Sequence, residues 1–280
     1  MLQDMASGRL ENEFRNIAAG EEDVIICFHE GQVLLCRGED DSLTLSTLSH
    51  IATRKTSAAP RYLFRMQEQN YFLWTDSAPI APCGGFSYEP VRQLRQMKSK
   101  EICFAVMTAW HLYNWYRANR LCGCCGTPTE HDSKERMLRC PNCGNMIFPR
   151  ISPAVIVAVT DGDRLLLSKY AGRTYTRYAL LAGYTEIGET IEQTVHREVM
   201  EEVGLRVTNL RYYKSQPWGV DGNVLLGFFC DLDGSDEIHI DENELSMAAW
   251  YPRDALPAHD DGISLTREMI RVFEEGREPK

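Results

Sequence analysis

Glu198, Glu201 and Glu202 sit three and four residues apart, so a helix through this segment places all three carboxylates on one face. Such a face repels itself unless cations neutralise it. Hard divalent ions that take oxygen ligands, Mg²⁺ or Mn²⁺, suit that role. The same ions neutralise phosphate oxygens and lower the pKa of bound water, so the chemistry in view is metal-assisted hydrolysis of a phosphate derivative. A solvated, Glu-rich helix would carry the same carboxylates, and the residues around them must separate the two readings.

A second constellation is made of cysteines. Cys122 and Cys125 are separated by two residues, as are Cys140 and Cys143, with 14 residues between the pairs and a glycine after each, Gly126 and Gly144. Four thiolates at this spacing close a tetrahedron around Zn²⁺. Two disulfides are the alternative, and a 280-residue chain without a secretory signal disfavours them. A closed four-cysteine site leaves no open coordination position, so its zinc is structural. Cys124 has no partner at ligand spacing. None of the seven histidines forms a metal or nucleophile motif.

These groups need elements to position them. Thr190 and Gln193 form a capping box and Gly204 a stop, which predicts a helix from about Thr190 to Val203 carrying the glutamates. Ala154 to Thr160 and Arg164 to Ser168 flank Asp161-Gly162-Asp163 as a hairpin, and Val224 to Cys230 is a further strand. A last helix runs from Ser264 to Glu275. In the first part, Val24 to His29 pairs with Gln32 to Cys36 around Glu30-Gly31, Arg61 to Met66 pairs with Tyr71 to Thr75, and apolar residues at spacings of three and four predict a core helix from Lys100 to Arg120. The expected organisation is a β-rich module ending in a helix (1–119), a zinc unit (120–149) and a C-terminal α/β domain (150–280).

Composition sets the outer limits. With 44% hydrophobic and 25% charged residues the chain is globular, and no stretch is apolar enough to span a bilayer. The N-terminus is polar and acidic, unlike a signal peptide, so the expected location is cytoplasmic, with no membrane partner. The net charge is −10, yet residues 231–280 hold 14 acidic against 5 basic residues, while 91–150 hold 10 basic against 4 acidic. The acidic total therefore does not exclude an anionic substrate.

The glutamates stand in a wider pattern: Gly183, five residues, Glu189, seven residues, Arg197-Glu198-Val199-Met200-Glu201-Glu202-Val203-Gly204-Leu205. This resembles, at every defined position, the Nudix box. The resemblance implies an α/β/α sandwich with a mixed sheet that hydrolyses a nucleoside diphosphate linked to another moiety. It implies Glu198, Glu201 and Glu202 as catalytic metal ligands, Ala182 as a carbonyl ligand, Glu189 and Arg197 as an orienting ion pair, and Gly183 and Gly204 as structural positions. Glu244 matches the acid that the family supplies outside the box, as a metal ligand or general base.

A zinc ribbon ahead of the box is similar to the NAD(H) pyrophosphatase subfamily. Ser215-Gln216-Pro217-Trp218 matches the start of that subfamily's second signature, Ser-Gln-Pro-Trp-Pro-Phe-Pro-X-Ser, while Gly219-Val220-Asp221-Gly222-Asn223 departs from its remainder. The resemblance makes 216–223 substrate-binding, together with Arg92, Glu135 and Thr266. It makes Phe148 and Tyr184 an aromatic pair for a base, which stacking would hold by about 1–3 kcal/mol. It implies a homodimer that cleaves NAD(H) to nicotinamide mononucleotide and AMP and can act on NAD-capped RNA. Two alternatives are a Nudix enzyme for ADP-ribose or a dinucleoside polyphosphate, and a non-catalytic nucleotide sensor, the latter disfavoured because no box carboxylate is missing.

Overall fold

A computed structural model describes residues 1–4, 9–40, 42–51, 59–76, 78–82, 84–96, 99–172, 177–257 and 262–280. The chain forms two compact units: Met1 with 151–217 and 223–280, and 2–150 with 218–222. Residues 120–149, read from the sequence as a separate module, share a unit with 2–119.

The unit containing 151–280 is built on strand β1 (Ser152–Asp161), followed by β2 (Arg164–Tyr170), β3 (Leu181–Tyr184), helix α1 (Ile191–Val203), β4 (Val207–Trp218), β5 (Asn223–Leu232), β6 (Leu245–Pro252) and helix α2 (Leu265–Glu274). The sheet order is β4-β5-β1-β2-β6, with β3 also paired to β1. The β1–β5 pairing is parallel and those of β1 with β2 and β3 and of β2 with β6 are antiparallel, so the sheet is mixed. Strand β1 is apolar along its length because both of its faces are covered. Its alternation sends Val155, Val157 and Val159 to Val195, Val199 and Val203 of α1, and Ile156 and Ala158 to Leu265, Met269, Ile270 and Phe273 of α2. This is the α/β/α sandwich expected.

Helix α1 has the capping box read from the sequence: Thr190 Oγ1 accepts from Gln193 N–H, and the Gln193 side chain accepts from Thr190 N–H at 2.8 Å. Gly204 ends it in the left-handed region at φ 70°, and a Cβ there would lie 3.0 Å from His239 Cβ. Valines every fourth residue face the sheet, and Glu198 and Glu202 form the neighbouring stripe.

In the other unit the long helix spans Lys100–Ala118. Val24–His29 does not act as one hairpin arm. Only Phe28–His29 pairs with Gln32–Arg37, across a turn with Glu30 at φ 47° and Gly31 at φ 82°. Val24–Ile26 joins a different sheet, parallel to Gln69–Leu73. The chain changes sheet at Cys27, which is buried with Ile25, Leu34, Tyr62 and Phe72. The zinc unit carries three short antiparallel strands, Glu130–His131, Leu138–Arg139 and Met146–Ile147.

One buried carboxylate fastens α2 to the sheet. Glu268 accepts from Lys214 Nζ at 2.7 Å, from Tyr213 Oη at 2.8 Å and from the Met1 amino group at 3.2 Å. Burial pushes its pKa up, but these donors outweigh burial and hold it at about 2. A depressed folded pKa gives stability that is complete above the usual carboxylate range and is lost as pH falls toward about 2. Glu268→Gln is expected to lower stability at pH 7 by about 2 kcal/mol and to flatten the decline below about pH 5. Urea denaturation at pH 7 and pH 3 checks this, and an unchanged acid decline would contradict it.

Candidate functional site

Strand β3 and helix α1 meet with very little clearance, and the box residues lie at that contact. Glu202 is 2% exposed and its Oε1 accepts from Ala182 N–H at 3.4 Å. The Glu198 carboxylate lies directly under Gly183, where a Cβ would fall 1.9 Å from Glu198 Cδ. Gly183 is therefore required by close approach rather than by an unusual backbone angle. Burial pushes the Glu198 carboxyl up, Arg197 pulls it back, and the charges of Glu201 and Glu244 add to the rise. Glu244 occupies an exposed turn before β6. Glu198 and Glu202 thus lie against the Gly183 and Ala182 backbone, and the charges of Glu201 and Glu244 act on Glu198.

Arg197 ties this group to the preceding loop. Its Nε and Nη2 donate to the two oxygens of Glu189 at 2.6 and 3.0 Å. Its Nη1 donates to Glu198 at 2.7 Å and Glu201 at 2.9 Å, and Nη2 also donates to the Tyr184 carbonyl at 2.8 Å. Glu189 in turn accepts from Glu186 N–H and Thr194 Oγ1, both at 3.0 Å. The Arg197 guanidinium leads these contacts in holding the Glu189 carboxyl at about 2. Thr194 is fully buried and escaped the sequence reading. Its signal was a hydroxyl placed one residue before Val195 on the sheet-facing side of α1.

The donor set of carboxylates and a backbone carbonyl suits a hard divalent cation, and Gly183 leaves the carboxylates room to reach it. The cysteines fit zinc. Among the described residues Cys122, Cys125, Cys140 and Cys143 form a cluster whose ligand atoms all lie within 4.8 Å of one another. Sulfur–sulfur separations of 3.4 to 3.6 Å link Cys125 to Cys140 and Cys143, and Cys122 to Cys143. A tetrahedron with Zn–S near 2.3 Å has edges of about 3.8 Å. Backbone N–H groups of Cys124 and Cys143 point at Cys122 and Cys140 sulfur, and Gly126 and Gly144 turn the two knuckles at φ 73° and 74°. Hydrogen bonding with Thr127 leads the effects that lower the Cys125 thiol to about 6, while at Cys143 the Asn145 N–H lowers the thiol but the neighbouring sulfurs of Cys140, Cys122 and Cys125 outweigh it and raise it to about 12.

The remaining predicted residues divide between the two units. In the unit of 151–280, Tyr184 is exposed and its hydroxyl accepts from Asn223 Nδ2 at 3.4 Å. Thr266 is half-buried in the first turn of α2, and Pro217 is exposed on β4. Gln216 is fully buried, with Nε2 donating to the Ile263 carbonyl at 2.8 Å and Oε1 accepting from Leu265 N–H at 2.7 Å. Its amide thus secures the start of α2, a structural task that the sequence motif did not reveal. In the other unit Phe148 is exposed and Glu135 lies on the rim of a cleft. Trp218 is buried and donates through Nε1 to Asp221 at 3.0 Å, and Arg92 donates to the same carboxylate at 3.3 Å. Gly219 packs on the long helix, where a Cβ would lie 2.1 Å from the Met107 carbonyl oxygen. Val220 lines a cleft with Arg92, and Gly222 takes φ 73°.

With this geometry in hand, the likeness to known proteins is informative. Residues 150–273 match the NUDIX domain, and residues 117–148 match the NADH pyrophosphatase zinc ribbon domain. The NAD-capped RNA hydrolase NudC of Pseudomonas aeruginosa is 39% identical over 206 residues, covering 74% of this chain and 73% of the relative. The protein of the same description from Chromobacterium violaceum is 37% identical over 212 residues, covering 75% and 79%. The intact carboxylate face, its Arg197–Glu189 clamp and the four-cysteine ribbon agree with these matches along the chain, and the chain belongs to the NudC family of Nudix hydrolases.

Proposed function

We propose that this Nudix hydrolase cleaves the pyrophosphate bond of NAD(H) to give nicotinamide mononucleotide and AMP, and that it removes the NAD cap from RNA. The observation that carries this reading is the placement of Glu198 and Glu202 against the Ala182–Gly183 backbone, with the charges of Glu201 and Glu244 acting on Glu198, in a chain that also carries the zinc ribbon of NADH pyrophosphatases. Mg²⁺ or Mn²⁺ held by these carboxylates and the Ala182 carbonyl supplies charge neutralisation at the pyrophosphate and a more acidic bound water. The chain's own groups do the rest. Arg197 fixes the loop to the helix, so the carboxylates hold their spacing through turnover. Tyr184 presents an exposed ring for base stacking beside the box, and Phe148 presents one in the other unit. Arg92 and the basic stretch 91–150 attract the anion. The active form is a homodimer in the cytoplasm. Among the described residues no helix is long and apolar enough to cross a membrane.

Product analysis of NADH, NAD⁺, ADP-ribose and a dinucleoside tetraphosphate, each with Mg²⁺ and Mn²⁺, tests the reading. Nicotinamide mononucleotide and AMP are expected from NADH and NAD⁺, with kcat/KM above that for the other two. The second reading, another nucleoside diphosphate derivative, is favoured by Gly219-Val220-Asp221 standing where the signature has Pro-Phe-Pro. Faster turnover of ADP-ribose would establish it. The ribbon makes its own prediction. One zinc per chain is expected by elemental analysis, and Cys125→Ser is expected to lose it and to lower the melting temperature, because metal binding drives the folding of such modules. A Cys125→Ser protein retaining one zinc per chain would contradict the ligand assignment.

A further inference from the structure

The 2–150 unit holds a cleft of about 380 Å³ whose lining includes Arg15, Arg61, Tyr62, Tyr116, His131 and Arg136. Its polar groups are unequally satisfied. Arg136 Nη2 donates to the Leu63 carbonyl and, at 3.3 Å, to the Asn12 carbonyl, whereas its Nη1 is buried and has no hydrogen-bond partner among the described residues. Tyr62 is 2% exposed, and its hydroxyl likewise is buried and has no partner among the described residues. The Arg61 guanidinium lies over the Tyr116 ring at 5.1 Å. Burial lowers the pKa of both Arg61 and Arg136, and the ionisable groups that act on them are the phenols of Tyr116 and Tyr62, not carboxylates.

The acids nearby are otherwise engaged or exposed. Glu11 and Glu13 face Arg15, at 3.2 and 3.8 Å. Asp132 accepts from the backbone N–H groups of Lys134 and Glu135 and faces Arg139 at 4.0 Å. Glu135 is exposed at the rim. Arg61 and Arg136 are half-buried, and buried polar donors such as Arg136 Nη1 and the Tyr62 hydroxyl are nearly always satisfied. Two guanidiniums, one of them with its Nη1 unpartnered, and the unpartnered Tyr62 hydroxyl are complementary to an oxyanion, and the rings of Phe14, under the Arg136 guanidinium at 5.9 Å, Tyr116 and His131 give the cleft an apolar wall.

We propose that this cleft is a binding site for the phosphate of a nucleotide, held by Arg61, by Nη1 of Arg136 and by the Tyr62 hydroxyl. It lies entirely in the unit without the box, with Glu135, expected to reach the substrate, at its rim. The phosphate belongs either to a free nucleotide or to a nucleotide of an RNA chain, two sources with the same chemistry.

The test is calorimetric titration of the full chain, in buffer free of divalent ions and phosphate, with inorganic phosphate, AMP and a short uncapped oligoribonucleotide. Tyr62→Phe is expected to melt at or above the parental temperature, because its hydroxyl has no partner to lose, and to weaken phosphate binding severalfold. Arg61→Gln is expected to weaken it about tenfold, the worth of one charge-assisted hydrogen bond. Weakened binding of phosphate and AMP identifies a free nucleotide as the source, and weakened binding of the oligoribonucleotide alone identifies RNA. Equal affinities for all three ligands in the parent and both variants would overturn the site, as would a Tyr62→Phe protein that melts below the parent.

Discussion

Like-charge repulsion of the buried Glu198 by Glu201 and Glu244 is the constraint around which the box is organised. Two unit charges about 4 Å apart repel by about 1 kcal/mol in water and by severalfold more at a protein surface. The fold nonetheless buries Glu198 and Glu202 beside β3. Arg197 makes that possible. One guanidinium takes Glu189 in two bonds and also Glu198, Glu201 and the Tyr184 carbonyl. Replacing it with lysine would keep the charge but lose the planar fork that reaches four partners. The loop, the helix and the carboxylates are therefore one mechanical piece.

Everything else in that unit holds this piece in place. Valines at every fourth position fasten α1 to the apolar face of β1, and Gly183 brings β3 close enough for its backbone to join the carboxylates. On the opposite face α2 is fixed by Gln216 at its start and by Glu268 within it. A site built where a strand and a helix pack directly on each other keeps its geometry better than one carried on loops. The zinc ribbon follows the same logic in miniature, with a metal replacing the core that so short a segment lacks.

Local chemistry was readable in the sequence and long-range satisfaction was not. The capping box at Thr190 and Gln193, the stop at Gly204 and the four cysteines depend on near neighbours, and each is found at its position. The change of sheet at Cys27 depends on which partner strand wins, since Val24–Ile26 is apolar enough for either sheet. Gln216 sits in a family motif, yet its partners at 263 and 265 are set by tertiary packing. Asp221 joins Trp218, three residues away, to Arg92, 129 residues away, and only the first of these is legible locally. The arginine cleft draws residues 61 and 62 together with 136, a pairing that no periodicity encodes.

The central claim is that the carboxylates of α1, two of them buried beside β3, perform the chemistry through divalent cations. The most direct measurement is steady-state hydrolysis of NADH by Glu202→Gln, with melting temperature recorded on the same protein. Glutamine keeps the shape beside Ala182 and removes only the charge. The account predicts an unchanged melting temperature with kcat lowered by about a hundredfold or more. Parental turnover in a folded Glu202→Gln protein would contradict it.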